Sequence, residues 1–152
     1  MLSNGVSIWR RAAMAGPMIK MVAAYGLTLV AFAAIDAVWL INMAPRLYKP
    51  EIGEVMMENG FRLTPAIIFY AIYIGGIVYF AVWPGLTEGV AKAALQGAVL
   101  GFICYATYDL TNYATLKVWS LKVTVLDLMW GTVLTGGTAA AGTWLTSKLF
   151  PA

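Results

Sequence analysis

Four runs of this chain are long enough to cross a lipid bilayer and nearly free of charge, and this constrains the fold before any motif is read. They run from about Met18 to Ile41, Thr64 to Val82, Ala91 to Thr115 and Leu121 to Ser147. A bilayer core takes about 20 apolar residues per helix, and within it only a helix or a closed barrel satisfies its own backbone. The composition agrees, with 61% hydrophobic and 11% charged residues, where a soluble domain carries roughly a quarter charged. The reading is an all-α polytopic membrane protein, a four-helix up-and-down transmembrane bundle. It divides into an N-terminal extension (1–17), a transmembrane domain (18–147) and a C-terminal tail (148–152).

The connections carry their own signals. Arg10 and Arg11 beside Ile8 and Trp9, followed by the breakers Gly16 and Pro17, suggest a short cytoplasmic or surface-lying extension and not a cleaved signal peptide. Between the first two runs, Pro50 to Asn59 reads as a short interfacial helix. Glu51, Glu54 and Glu58 form a solvated face, Ile52, Val55 and Met56 form the other side, and Gly60 stops it. Trp83-Pro84-Gly85 reads as the turn between the second and third spans. The basic residues divide evenly between the two sides. Those flanking the first span on its N-terminal side tip the orientation toward both termini in the cytoplasm.

Several function classes drop away. A net charge of +3, scattered along the chain, gives no nucleic-acid surface. The single cysteine, Cys104, sits in an apolar run and reads as packing, and eight methionines read as adaptable packing. The chain has no histidine, so the commonest ligand for haem and for transition metals is missing. No metal and no cofactor is expected, although carboxylates alone suit calcium or magnesium.

The residues that ask for an explanation are acids inside the spans. Asp36, Asp109 and Asp127 lie one to two turns from helix ends, where insertion scales put a central aspartate at about 2.5–3.5 kcal/mol. In an up-and-down arrangement those ends share one side, so the three carboxyls are expected at one depth. Tyr105, Tyr108, Asp109 and Asn112 fall at helical spacing on one face of the third span, led by Gly97 and Gly101. Gly131, Thr135, Thr138 and Gly142 make a small-residue stripe on the fourth, and Tyr25, Thr28, Phe32, Asp36 and Trp39 make a stripe on the first. These stripes are expected to face one another. No basic residue lies deep enough to pair with the acids, so at least one carboxyl should be protonated or hydrogen-bonded by Asn112, Tyr105, Tyr108 or Thr111. The candidate ligand-binding or proton site is therefore Asp36, Asp109, Asn112, Asp127, Tyr105, Tyr108 and Trp130. The plain alternative is interhelical hydrogen bonding with no ligand, worth about 0.6–2 kcal/mol per bond. The Asp-x-x-Trp spacing recurs at Asp36–Trp39 and Asp127–Trp130. On antiparallel helices it is expected to put the tryptophans at different depths, and the recurrence reads as coincidence. Phe69, Tyr70, Tyr73, Tyr79 and Phe80 suit either packing or a groove for a lipid tail, isoprenoid or pigment.

Three stretches together resemble the bacterial membrane family called domain of unknown function 2177. They are Ala24-Tyr25 through Asp36-Ala37-Val38-Trp39-Leu40, the run from Tyr105 through Asp109 and Asn112 to Leu116, and Asp127 to Thr132. The resemblance covers about residues 18–147 and implies a small four-helix inner-membrane protein with no assigned reaction. The first 17 residues depart from it. The leading expectation is a lipid-associated protein or an accessory subunit of a larger membrane complex or homo-oligomer, with membrane lipids as partners. A lipid-modifying enzyme using Asp109 and Asp127, or a small proton-linked transporter, is the alternative.

Overall fold

The computed structural model describes residues 3–58 and 60–151, with side chains from Gly16 onward, and every long element in it is helical. Helix α1 spans Ser3–Met43, α2 Lys49–Ile52, α3 Leu63–Ile77, α4 Trp83–Glu88, α5 Val90–Thr115 and α6 Leu121–Leu149. Three continuous helical stretches, Gly16–Val55, Leu63–Glu88 and Val90–Thr115, are long and apolar enough to cross a membrane. The side chains of Arg10 and Arg11, and the expected helix end at Asn59, lie outside the described residues.

Two expected interruptions prove to be continuous helix. Pro17 sits inside α1, as membrane helices tolerate where neighbouring groups or local backbone adjustments re-satisfy the freed carbonyl. The interfacial segment is no separate helix either. A π-helical turn at Ala44–Tyr48, holding Pro45, carries α1 directly into α2, and a 3₁₀ turn at Gly53–Val55 follows.

The second expected turn also moves. A π turn at Val78–Val82 carries α3 into α4, so Trp83-Pro84-Gly85 lies inside one continuous helical stretch. The chain reverses instead at Gly89, whose φ of +100° favours glycine. Gly85 has a packing role: a Cβ there would come within 2.5 Å of Ala93 and 3.0 Å of Thr143.

Helix α6 is the hub. It carries six threonines and four glycines, and most of them point inward. Thr124, Thr135, Thr138, Thr143 and Thr146 are buried along with Gly131, Gly136 and Gly142. Its outward stripe of Val125, Met129 and Val133 is apolar and exposed. Helix α5 returns antiparallel along it. A Cβ on Gly97 would meet Ala139 at 2.7 Å, and one on Gly101 would meet Thr135 at the same distance. Gly131 leaves room for the ring of Tyr105. The expected α5–α6 glycine contact is thus present, whereas Gly142 serves α1, lying against Thr28. The α1 stripe faces inward as expected, with Thr28, Phe32 and Asp36 buried. The main core joins Ala24 and Phe32 of α1, Tyr73, Ile74 and Ile77 of α3, Val82, Ala93 and Leu134.

Candidate functional site

The register of α5 on α6 builds the site. With Tyr105 lying over Gly131, one helical turn further along each antiparallel helix brings Asp109 opposite Asp127. Asp109 and Asp127 line a cavity of about 300 Å³ together with Phe69, Tyr73, Cys104, Tyr105 and Tyr108. Helix α3 supplies Phe69 and Tyr73, α5 supplies Cys104 through Asp109, and α6 supplies Asp127. Phe69 and Tyr108 are also exposed on the outer surface, so the cavity reaches that surface between α3 and α5.

The two acids differ in their partners. Asp109 is fully buried, and neither of its carboxyl oxygens has a hydrogen-bond partner. Asp127 accepts a short hydrogen bond at Oδ1 from the Tyr48 hydroxyl, at 2.6 Å. The sequence-based expectation of a hydrogen-bonded Asp109–Asp127–Asn112 cluster is therefore corrected. Asp109 and Asp127 meet as expected, with Tyr105 and Tyr108 beside them, but Asn112 does not line the cavity. Tyr108 packs edge-on against Trp119, 5.6 Å between centroids.

Asp36 stands apart from that pair. It accepts from the Tyr70 hydroxyl at 2.6 Å and from Trp130 Nε1–H at 3.4 Å. The recurring Asp-x-x-Trp spacing is no coincidence. Contrary to the expectation of separate depths, the rings of Trp39 and Trp130 stack at 4.3 Å with 9° between planes. Trp39 Nε1–H donates to the Tyr48 hydroxyl at 2.9 Å, which in turn donates to Asp127. A polar chain thus runs from Tyr70 through Asp36 and the indole pair to Tyr48 and Asp127.

Sequence reasoning missed Tyr48. It lies in a connection, and only the π turn folds it back onto α6. Tyr70 and Tyr73 stood among the aromatics flagged on α3, but nothing in the sequence separates them from Tyr79 and Phe80, which are exposed. The glutamates divide. Glu51 belongs to no free solvated face: its Oε2 accepts from Ser120 Oγ at 2.6 Å, and its Oε1 accepts from Lys122 Nζ at 3.1 Å. These bonds hold its carboxyl below the usual carboxylate range, with the serine contact the larger cause. Ser120 also caps α6 by accepting from the Lys122 and Val123 amides. This clasp pins the α1–α3 connection against the start of α6, over a small cluster of Leu47, Ile52 and Val123.

A carboxyl pair in a largely aromatic cavity can accept hydrogen bonds, hold a cation or pass a proton. Comparison with known proteins gives the chain's kinship and no reaction. No curated protein and no solved structure matches it. A family model described as a predicted membrane protein matches residues 21–144, from within α1 to near the end of α6 and across every residue of the cavity. The chain belongs to that predicted membrane protein family, DUF2177.

Proposed function

We propose that this protein binds a membrane-soluble amphiphile, which enters sideways from the lipid between α3 and α5 and places its polar head against Asp109 and Asp127. The observation that carries the reading is Asp109. A carboxyl with both oxygens buried and unpartnered forgoes stabilisation of about 1–3 kcal/mol or more, and Asp109 is one of the residues that line the cavity. A carboxyl that served only to join helices would bond across the interface, as Asp36 and Asp127 do. The aromatic walls suit an alkyl chain, and the exposed rim of Phe69 and Tyr108 suits entry from lipid.

The reading includes four spans in a bacterial inner membrane with both termini cytoplasmic. The apolar outward stripe of α6 supports the fourth span, because a helix wrapped wholly in protein would not need it. Single cysteines at Lys148 and Glu88 in a Cys104→Ser background should then label from one side of the membrane, and one at Lys117 from the other. Labelling of Lys148 and Lys117 positions from the same side would overturn the topology.

Ligand binding is tested by native mass spectrometry of protein extracted in mild detergent. The wild type should retain an amphiphile, and Cys104→Trp, which fills the cavity, should lose it while keeping its helical circular dichroism. Equal retention by both proteins, or none by the wild type after incubation with total membrane lipid, would overturn the reading. The same spectra test the assembly expected from sequence. A mass of one chain with lipid alone argues against a homo-oligomer or larger complex.

A further inference from the structure

Building on the amphiphile-binding reading, we propose that the head received by the cavity is a primary ammonium group, and that the ligand class is a long-chain primary amine. The argument counts hydrogen-bonding capacity. Both oxygens of Asp109 are buried without a partner. Asp127 spends Oδ1 on Tyr48, leaving Oδ2. Three acceptor oxygens thus remain, presented from opposing helices. A primary ammonium offers three N–H donors and no acceptor, and charge-assisted bonds of this kind are about twice as strong as neutral ones.

Rival heads fit less well. A hydroxyl has a single donor and leaves acceptors idle. A trimethylammonium has no N–H at all and leaves every one of them unsatisfied. A carboxylate or phosphate meets like charge, and no lysine or arginine lines the cavity to receive it. The rings of Phe69, Tyr73, Tyr105 and Tyr108 add to the match, since aromatic faces within about 6 Å attract a cation, and more strongly when it is desolvated. The cavity volume of about 300 Å³ sits at the low end for ligand sites, so it holds a compact head and the first part of a chain, with the rest passing out between Phe69 and Tyr108.

Cys104 lines the same cavity and is the only cysteine in the chain, which supplies a local readout. The full-length protein in lipid nanodiscs is treated with an apolar maleimide in the presence of dodecylamine, dodecanol, dodecyltrimethylammonium or laurate at matched mole fractions. Dodecylamine should protect Cys104 at a mole fraction about tenfold lower than dodecanol, with dodecyltrimethylammonium and laurate weaker still. Asp109→Asn should erase the advantage of the amine over the alcohol while leaving alcohol protection in place. Equal protection by amine and alcohol would sink the ammonium assignment and leave the amphiphile site standing. Protection by none of the four probes would sink the site itself. The probe series on the wild type decides the matter even if the variant folds poorly.

Discussion

Replacing Tyr48 with phenylalanine tests the polar chain at the joint between the α1–α3 connection and α6. The ring stays, and two hydrogen bonds go: the 2.6 Å bond to Asp127 and the 2.9 Å bond from Trp39. Hydrogen bonds within membrane proteins average about 0.6 kcal/mol and reach about 1.7. The bond to a carboxyl belongs at the upper end, being charge-assisted, and the Trp39 N–H left behind adds desolvation cost. The sum is about 2–3 kcal/mol, a shift of about 30- to 140-fold in the unfolding equilibrium. Reversible unfolding in mixed micelles of mild and denaturing detergent, followed by circular dichroism, measures it. A cycle with Trp39→Phe separates the two bonds: the pair should couple by about 0.5–1.5 kcal/mol if the indole and the phenol act together. A Tyr48→Phe protein within about 0.5 kcal/mol of the wild type, the usual range for surface changes, would refute the claim that Tyr48 ties the connection to α6.

Two further outcomes follow from packing and charge. Gly101→Ala should destabilise by about 1–3 kcal/mol in the same assay, since its Cβ would drive α5 off Thr135 and the backbone of α6; Gly76→Ala and Gly137→Ala, which meet nothing within 4 Å, should be neutral or stabilising by up to about 1 kcal/mol. Glu51 gives a pH effect of definite sign. Its folded-state pKa is lowered by Ser120 and Lys122, so its contribution is fully present above the unfolded-state pKa of about 4.3 and is lost as pH falls through the lower folded value. An acid titration of stability should therefore show a downward step in the wild type that Glu51→Gln lacks, and parallel profiles for the two would contradict the clasp.

The sequence made the spans legible because length and apolar content are one-dimensional properties, and α5 starts and stops within a residue of where hydropathy puts it. The breaks between helices were less legible. Pro17 and Pro84 each read as a break in a single sequence, yet α1 runs through Pro17 and a π turn carries α3 on through Pro84. Asp109 and Asp127 could be paired from depth and helical spacing alone, since a short connection fixes the register of α5 on α6. Depth reasoning failed for Trp39 and Trp130. It compared tryptophan with tryptophan along each helix and overlooked that long indoles lean toward each other from adjacent turns. Tyr48 was invisible for a different reason: a residue in a connection acquires its partner only through the turn that redirects the chain. Helix α6 shows the converse limit. Its threonines and glycines lower its hydropathy because they face other helices, and averaged hydropathy cannot tell an inward residue from an outward one.

The stacked indoles also give the molecule an optical signature. Two nearly parallel chromophores 4.3 Å apart are close enough for their strong ultraviolet transitions to couple, and no other pair of indoles stacks among the described residues. The resulting couplet in circular dichroism depends on the angle and spacing between the rings. It therefore reports the register of α1 against α6 from inside the protein, without a label.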